Sequence, residues 1–320
     1  MLTMNGYVFS YDDMYLRPSH SSLKSRDDVD VSIKLCGKRY NLPVVSANML
    51  DVISFENAKL LSNAGYFYIM HRFEGATRKF ADFSKRNNLP MVSISVGVNQ
   101  ESKDDLDYVN SVLDYKVDWI CVDTAHGDHD NVGEMIKYIQ ESYEGYFPRP
   151  KIIAGNVATA EGYKFLVGCG ADAVKVSIGA GSICTTRYQT GFHLPTAYSV
   201  WECAQCGLDV PIIADGGLKY YGDIAKALVL GADMVMSGGW FASCLDSPAK
   251  IVGSRKIYRG STSYEAKGQR KHIEGRTLEL DEGIIYLERM EEIRQALASS
   301  ISYAGGKDLS AFNHVEWHLL

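Results

Sequence analysis

Short apolar runs of strand length recur eight times along the chain, and each run ends in small, polar or charged residues. Between the runs lie longer segments of helical character. Mostly apolar runs separated by helices are typical of parallel strands that are covered on both faces. The pattern therefore predicts an alternation of strand and helix. The predicted strands are residues 43–48, 66–71, 91–96, 119–123, 151–155, 173–176, 211–215 and 234–237.

Helical segments follow most of these strands. The predicted helices are residues 55–63, 78–86, 106–115, 132–143, 160–167, 197–206 and 224–230, with a further helix at 286–297 that the segment 299–306 breaks. Eight such units in 320 residues favour a closed (β/α)8 TIM barrel, and an open doubly wound sheet is the alternative. Since no low-complexity linker divides the chain, we expect one barrel domain over residues 1–320.

In such a barrel, the residues just after each strand converge on the C-terminal rim, where active sites are built. A single polar residue at one of these positions could equally cap the next helix. The glycine pairs after the seventh and eighth strands are a stronger signal, because backbone amides in these two loops can reach phosphate oxygens. The rim positions are Asn48, His71, Asp123, Asn156, the Asp215-Gly216-Gly217 turn and the Ser237-Gly238-Gly239 turn.

The loop after the sixth strand carries one cysteine among glycines, hydroxyl groups and a cation. Its sequence from Gly179 to Arg187 is GAGSICTTR. Glycines let backbone amides approach an anion or a planar ligand, and nearby positive charge favours the thiolate over the thiol. A buried, inert cysteine is the alternative for any single thiol. The composition of this loop favours Cys184 as a nucleophile at the rim.

Residues 256–277, beyond the eighth strand, are polar and contain Gly260, Gly268 and Gly275 among charged positions. Their place after the last strand puts them above the predicted rim. The segment is therefore predicted to form a flap over the site, with a plain surface excursion as the alternative.

Composition narrows the class of protein. The chain is 46% hydrophobic with a net charge of -6, which fits a globular enzyme and argues against nucleic-acid binding. The polar N-terminus lacks the order of a signal peptide, and no apolar run is long enough to cross a bilayer. Seven scattered cysteines do not form a disulfide framework, and the pair Cys203 and Cys206 has no second pair to complete a zinc site. We expect a cytoplasmic protein that binds neither nucleic acid nor membrane.

Several of these segments together resemble the inosine monophosphate dehydrogenase and guanosine monophosphate reductase family. The resemblance covers almost the whole chain in the family's order and spacing. Its most specific part is the cysteine loop. The matching segments are 23–26 (LKSR), 46–49 (SANM), 155–157 (GNV), 179–187 (GAGSICTTR), 212–217 (IIADGG), 236–239 (MSGG) and 273–276 (IEGR). Ser177, Ala180 and Tyr264 stand where the family usually has glycine, proline and glutamate.

Two features that the chain lacks indicate the reductase branch, in its compact bacterial form. Dehydrogenases of this family usually insert a regulatory domain after the second strand, whereas His71 leads through one helix to Met91. They also use an arginine and tyrosine pair on the flap to activate water, and residues 269–273 (QRKHI) leave no place for it. The resemblance implies an NADPH-dependent reductase that converts GMP to IMP and ammonia. The alternatives are a dehydrogenase without the regulatory domain, a nucleotide-binding regulator without turnover, and a reductase of a related purine (deoxy)nucleotide.

The resemblance also implies a role for individual residues. Cys184 would bond to purine C2, and Thr186 with Glu274 would handle the proton. The implied substrate-binding residues are Ser182, Asp215, Gly217, Gly238, Gly239, Gly260, Ser261, Thr262 and Lys271. The implied cofactor-binding residues are Ser25, Arg26, Arg72, Asp123, Thr124, Ala125, Ile178, Gly179, Ser300 and Tyr303. Backbone carbonyls of Gly179, Gly181 and Cys184 would form a potassium site. The stretch from Ser300 to Tyr303 would meet cofactor on a neighbouring subunit, which implies a homotetramer.

Overall fold

Seven of the eight predicted apolar runs form parallel strands of one sheet. The computed structural model describes residues 7–261, 263, 274–281 and 283–320. The strands among these residues are β1 (Met14–Leu16), β2 (Ile33–Leu35), β3 (Lys38–Tyr40), β4 (Val44–Ser46), β5 (Ser93–Val96), β6 (Trp119–Asp123), β7 (Lys151–Val157), β8 (Ala173–Val176), β9 (Ile212–Asp215), β10 (Met234–Ser237), β11 (Lys250–Val252), β12 (Arg255–Arg259), β13 (Thr277–Asp281) and β14 (Trp317–Leu319).

The order of strands in the large sheet is β4-β10-β9-β8-β7-β6-β5. It follows the chain without reversal and brings the last strand back beside β4, whereas a doubly wound sheet reverses its order at a switch point. With helices on its outer side, the sheet forms the predicted (β/α)8 barrel. The register puts Met236 opposite Asp215, and Asp123 opposite Gly155, so the ends of these strands meet at one rim.

The second predicted strand, residues 66–71, is wrong as a regular strand. Residues 66–70 form no strand ladder, although Phe67, Tyr68 and Ile69 are fully buried. The Met70 amide donates to the Ser93 carbonyl at 3.1 Å, but the Met70 carbonyl accepts from the Ser95 hydroxyl at 2.7 Å. A side chain thus takes a carbonyl that a ladder would use. The segment still fills the space between β4 and β5.

Helices cover the outside of the sheet close to their predicted positions. They are α1 (Phe55–Asn63), α2 (Ala76–Asn87), α3 (Gln100–Leu113), α4 (Asp130–Ser142), α5 (Ala160–Gly168), α6 (Thr186–Gln189), α7 (Thr196–Ala204), α8 (Gly222–Val229), α9 (Gly239–Ala242) and α10 (Tyr286–Tyr303). Side-chain caps begin several of them. Ser54 forms a capping box with Asn57 at α1, and Thr159 accepts from the Gly162 amide at α5. Among the described residues, we find no helix both long and apolar enough to span a membrane.

The last helix is longer than predicted. Residues 299–306 were expected to end it, but α10 continues to Tyr303. The Ser299 hydroxyl donates to the Gln295 carbonyl at 3.0 Å, and the Ser300 hydroxyl donates to the Ala296 carbonyl at 3.1 Å. Each serine therefore satisfies its hydroxyl within the helix, four residues back, and has no need of a turn.

The predicted flap, residues 256–277, begins and ends in regular structure. Residues 256–259 belong to β12, which pairs antiparallel with β11 and β13 in a three-stranded sheet. Lys256 is buried, and its ammonium donates to the carbonyls of Leu245 and Ser247 at 2.9 and 3.2 Å. This part of the segment is therefore no surface excursion. Residues 264–273, which include Lys271, and residue Thr262 lie outside the described part of the chain.

Candidate active site

A cleft of about 1000 Å³ opens at the C-terminal ends of the parallel strands. It collects the loops that follow β4, β6, β7, β8, β9 and β10, together with residues from the end of β12 and from the segment just before β13. The rim residues predicted from the sequence that line it are Asn48, Asp123, Asn156, Asp215, Gly216, Gly217, Ser237, Gly238 and Gly239. His71 is the exception. It is 6% exposed and does not line the cleft, so its prediction as a rim residue is wrong.

Burial decides the state of His71. Desolvation lowers the pKa of its imidazole to about 4, although the nearby Asp51 carboxylate opposes this shift. Its Nδ1 has no hydrogen-bond partner among the described residues. Asp51 itself is paired with Arg259. His71 is therefore a neutral core residue at physiological pH.

The cysteine loop is fastened to the last part of the predicted flap. Residues Glu274 to Arg276 run antiparallel to it, and Cys184 forms a bridge with Gly275. The Thr185 amide donates to the Glu274 carbonyl at 2.8 Å, and the Arg276 amide donates to the Ile183 carbonyl at 2.9 Å. These main-chain bonds place Glu274 beside the cysteine, although 90 residues separate them in sequence.

A hydrogen-bonded chain joins the three predicted catalytic residues. The Cys184 thiol donates to Thr186 Oγ1 at 3.2 Å, and the Thr186 hydroxyl donates to Glu274 Oε2 at 2.7 Å. Cys184 is half-buried and lines the cleft, so the alternative of an inert core cysteine does not hold. A carboxylate connected to a thiol through a hydroxyl can take up and return the proton that such a nucleophile must release.

The predicted substrate-binding residues that the structure describes all line this cleft. They are Ser182, Asp215, Gly217, Gly238, Gly239, Gly260 and Ser261. Gly217 has a φ of 76°, and a Cβ there would lie 2.9 Å from Thr196 Oγ1. Only glycine accommodates both the backbone conformation and the close approach. The predicted partners Thr262 and Lys271 lie outside the described residues.

Tyr258 on β12 closes the cleft over the glycine pair that follows β10. A Cβ on Gly238 would lie 1.9 Å from its hydroxyl, whereas a Cβ on Gly239 would meet no atom within 4 Å. Both glycines have ordinary backbone angles for a helix start, so it is space and not conformation that distinguishes them. The ring of Tyr258 thus occupies the position that any side chain at Gly238 would need.

A buried lysine joins the floor of the cleft. Lys175 Nζ lies 2.5 Å from Asp123 Oδ1 and 3.7 Å from Asp215 Oδ2. Asp215 also accepts from Asn156 Nδ2 at 2.8 Å. Burial lowers the pKa of Lys175, but its neighbours Asp123, Cys121 and Asp215 together outweigh this effect, Asp123 most strongly, and the pKa ends well above its usual range. Burial raises the pKa of Asp123, and Lys175 with Arg72 outweighs it, so that carboxyl is ionised.

The predicted cofactor-binding residues fall into two groups. Arg72, Asp123, Thr124, Ala125, Ile178 and Gly179 line the cleft. Ser25, Arg26, Ser300 and Tyr303 do not line it. Arg26 and Tyr303 lie together, with the guanidinium 5.8 Å from the centre of the exposed Tyr303 ring. Arg26 also donates to Ser299 Oγ at 3.0 Å, which fixes this second group at the start of the chain and the end of α10.

The cleft wall fits a nicotinamide coenzyme on two observations. Arg72 presents a buried Nε without a hydrogen-bond partner among the described residues, and its guanidinium lies 5.1 Å over the Phe73 ring. Thr124 is held by the Gly155 carbonyl, which accepts from its amide at 2.9 Å and its hydroxyl at 3.0 Å. The wall thus offers a guanidinium Nε that is free to donate and a fixed polar turn on the side of the cleft that carries Asp123.

The residues predicted for potassium, Gly179, Gly181 and Cys184, line the cleft together. The Gly181 carbonyl also accepts from the Cys184 amide at 3.0 Å, and His193 Nδ1 lies 2.8 Å from the Ile178 carbonyl. Within the described ranges no group of three or more histidine, cysteine, aspartate or glutamate residues could hold a metal ion.

Backbone strain marks the start of the cysteine loop. Ser177 has a φ of 155°, in the region that favours glycine, and its hydroxyl lies 3.0 Å from Thr196 Oγ1. The family that the chain resembles usually has glycine at the position of Ser177. Thr196 therefore contacts both the serine that replaces this glycine and the tight turn at Gly217.

Three residues of the site escaped the sequence analysis: Lys175, Tyr258 and Arg276. Lysine in the otherwise apolar run AVKV was the available signal for the first. Arg276 donates through Nε and Nη2 to the Ser182 carbonyl at 3.0 and 2.8 Å. Its place two residues after Glu274 indicated proximity to the site but not this contact. No sequence signal distinguished Tyr258 from an ordinary strand residue.

Comparisons with known proteins agree with this geometry. The family model described as "IMP dehydrogenase / GMP reductase domain" matches residues 8–314. A protein of Streptococcus agalactiae named GMP reductase is 42% identical over 318 residues, covering 97% of this chain and 94% of the relative. Proteins of the same name from Streptococcus equi subsp. equi and Streptococcus pyogenes are 40% and 41% identical, with the same coverage of both chains.

Proposed function

This chain belongs to the IMP dehydrogenase / GMP reductase family, and from that premise we propose that it is an NADPH-dependent GMP reductase, which converts GMP to IMP and ammonia. The observation that carries the proposal is the hydrogen-bonded chain from Cys184 through Thr186 to Glu274. A nucleotide-binding regulator has no need of a thiol connected to a carboxylate, and this arrangement supports an enzyme instead.

In the first step of the reaction, side chains of this protein carry out the chemistry on the substrate. The Cys184 sulfur adds to purine C2, and its proton passes through the Thr186 hydroxyl to Glu274. Glu274 returns that proton to the amino group on C2, because an amino group leaves readily only as ammonia. The C2–N bond then breaks, and the purine remains attached to the sulfur as a thioimidate.

The second step restores the cysteine. The nicotinamide coenzyme, when bound, supplies the hydride that reduces C2. The C–S bond breaks as the hydrogen is gained, and Cys184 leaves with the electron pair as a thiolate, which takes up a proton from solvent to become the thiol again. The turn from Asp123 to Ala125 and the loop at Ile178 and Gly179 would hold the coenzyme next to the sulfur, because they line the same cleft.

The ribose, phosphate and purine of the substrate are each assigned to different residues of the cleft. We assign the ribose hydroxyls to Asp215, whose carboxylate is fixed by Asn156 at 2.8 Å. The phosphate would lie among Ser182, Gly217, Gly238 and Gly239, where glycines let backbone amides approach. The purine would lie under Gly260 and Ser261, with Thr262 and Lys271 as further contacts.

We also propose a homotetramer in which the second cofactor group acts on a neighbouring subunit. Ser25, Arg26, Ser300 and Tyr303 are grouped away from the cleft of their own chain, and Tyr303 is 62% exposed. A shared site would explain why a cation and an aromatic ring are kept at that surface.

The same proposal includes one barrel domain over residues 1–320 and a potassium ion held by carbonyls of Gly179, Gly181 and Cys184. The free state of all seven cysteines supports a cytoplasmic location.

The test follows reduced coenzyme by absorbance. The purified protein is incubated with GMP and NADPH, and separately with IMP and NAD. Consumption of NADPH with GMP supports the reductase, whereas reduction of NAD with IMP would support the dehydrogenase. Replacing GMP by dGMP in the same assay tests the alternative of a deoxynucleotide substrate. Replacing NADPH by NADH tests which coenzyme the protein uses.

A variant then tests the nucleophile. Cys184→Ala should abolish turnover while GMP still binds, because only the attacking sulfur is lost. Cys206→Ala is the matched control, since this half-buried thiol lies outside the cleft and should leave turnover unchanged. Turnover by Cys184→Ala at the wild-type rate would refute the covalent mechanism.

A further inference from the structure

The floor of the cleft contains a buried cation for which the proposed reaction has no step. Lys175 lies within β8 and is 2% exposed. A lysine side chain is almost never buried to this degree without a partner of opposite charge. The charged groups around Lys175 therefore indicate its role.

The register of three neighbouring strands explains how Lys175 contacts Asp123. Lys175 stands opposite Gly155 on β7, and Gly155 stands opposite Asp123 on β6. A Cβ on Gly155 would lie 2.8 Å from Lys175 Cβ, closer than real side chains approach. The glycine on the intervening strand leaves the room that the lysine needs to contact Asp123, two strands away, at 2.5 Å.

One ammonium faces both carboxylates of the floor. Asp123 lies on the side proposed for the coenzyme, and Asp215 on the side proposed for the ribose. Lys175 Nζ lies 3.7 Å from Asp215 Oδ2 and 3.5 Å from Asn48 Oδ1. Without the ammonium, the two carboxylates would face the same cleft floor with their shared cation removed, which favours displacement of one of them.

We propose that Lys175 is a positioning residue that supports both halves of the cleft at once, by holding the side chains of Asp123 and Asp215 in place for two different ligands. The inference rests on the proposed function for the identity of those ligands. A second buried lysine, Lys256, shows the contrast: it is 1% exposed and its ammonium is held by main-chain carbonyls, with the closest at 2.9 Å. Such a lysine stabilises a local turn and supports no ligand.

The test measures binding of each ligand in the absence of the other. GMP is titrated by calorimetry, and NADPH by its fluorescence. Lys175→Met should weaken both by about tenfold or more, the usual effect of losing one charge-assisted contact. Asp123→Asn should weaken NADPH alone, and Asp215→Asn should weaken GMP alone. Lys175→Arg, which keeps the charge, should restore most of both affinities.

Lys256→Met is the control for burial, because it removes a buried ammonium elsewhere. It should lower the midpoint of unfolding and leave both affinities within about twofold of the wild type. If Lys175→Met does not fold, the charge-balanced variant Asp123→Asn/Lys175→Met replaces it, and GMP should bind this variant more weakly than it binds Asp123→Asn.

The outcomes separate this inference from the proposed function. Wild-type protein that turns over GMP, combined with a Lys175→Met variant that loses neither affinity or only one, overturns the role of Lys175 alone. In the charge-balanced pair, equal GMP affinities do the same. Wild-type protein that binds GMP and NADPH but consumes neither contradicts the reductase, and the binding comparison on Lys175 still stands.

Discussion

The two glycines after β10 allow a sharp test of packing in the site. Gly238→Ala adds one methyl group, whose carbon would lie 1.9 Å from the Tyr258 hydroxyl and 2.9 Å from the adjoining ring carbon. Real side chains essentially never approach within 3.0 Å, so the hydroxyl must move by at least 1.1 Å, the difference between 3.0 and 1.9 Å. Tyr258 is 4% exposed, and its ring has little room to retreat.

The expected loss of stability in Gly238→Ala follows from the kind of substitution. Inserting a methyl group into a packed interior typically costs about 1–3 kcal/mol in the free energy of unfolding. Backbone strain adds nothing, because Gly238 has φ -94° and ψ -52°, which alanine adopts freely. Gly239→Ala meets no atom within 4 Å. This neighbouring change should leave stability unchanged, or raise it by about 0.5–1 kcal/mol, because alanine reduces the entropy of the unfolded chain.

Urea unfolding followed by fluorescence measures the difference. We expect a lower midpoint for Gly238→Ala, with an unchanged slope, and no lower midpoint for Gly239→Ala. Adding Tyr258→Phe removes the clashing oxygen, so the double variant Gly238→Ala/Tyr258→Phe should recover most of the loss in a double-mutant cycle. Equal midpoints for the two alanine variants, or no recovery on removing the hydroxyl, would refute the reasoning.

Three further predictions concern the relay, its support and a buried imidazole. Thr186→Val should lower kcat by about 10²-fold at similar KM for GMP, because it breaks the proton path; Thr185→Val, whose hydroxyl has no partner among the described residues, should cost far less in the same steady-state assay. Arg276→Met loses both bonds to the Ser182 carbonyl and should lower kcat about tenfold, with partial recovery in Arg276→Lys; an unchanged kcat would show that main-chain bonds suffice. The pKa of His71 falls from 6.5 in the unfolded chain to about 4, so the unfolded state takes up the proton first and stability is lost as pH falls between these values. Over that window the wild type should lose about 3 kcal/mol more than His71→Gln in pH-dependent unfolding, and parallel curves would contradict the assigned burial effect.

Local patterns predicted most of the fold and the chemistry of the site. Apolar runs and caps lie within single segments, so the seven regular strands of the barrel and the helices around them could be predicted from neighbouring residues. The cysteine loop was equally local. Its nine residues carry the glycines, the hydroxyl and the nucleophile together. What a segment does by itself is therefore legible in its sequence.

Contacts between distant segments could not be predicted in the same way. Residues 66–70 have a strand pattern, but the Ser95 hydroxyl takes the Met70 carbonyl and removes the ladder. Lys175 was visible as a lysine in an apolar run, yet its partners come from other strands, 52 and 40 positions away. Its function depends on which side chains the closed barrel places opposite each other, and no local pattern contains that information.

The hydrogen bond from the Gly260 amide to the Arg276 carbonyl, 3.0 Å long, ties together the two points where the chain leaves the site and returns to it. Glu274 lies just before the second of these points, and the cysteine loop holds it there, because the Thr185 amide donates to the Glu274 carbonyl at 2.8 Å. An insert exchanged at residues 261–273 alone therefore leaves Glu274 bonded to that loop. A barrel built in this way can exchange one insert for another while keeping its nucleophile and carboxylate, and transplanting the corresponding insert between members of the family is a practical route to altered chemistry.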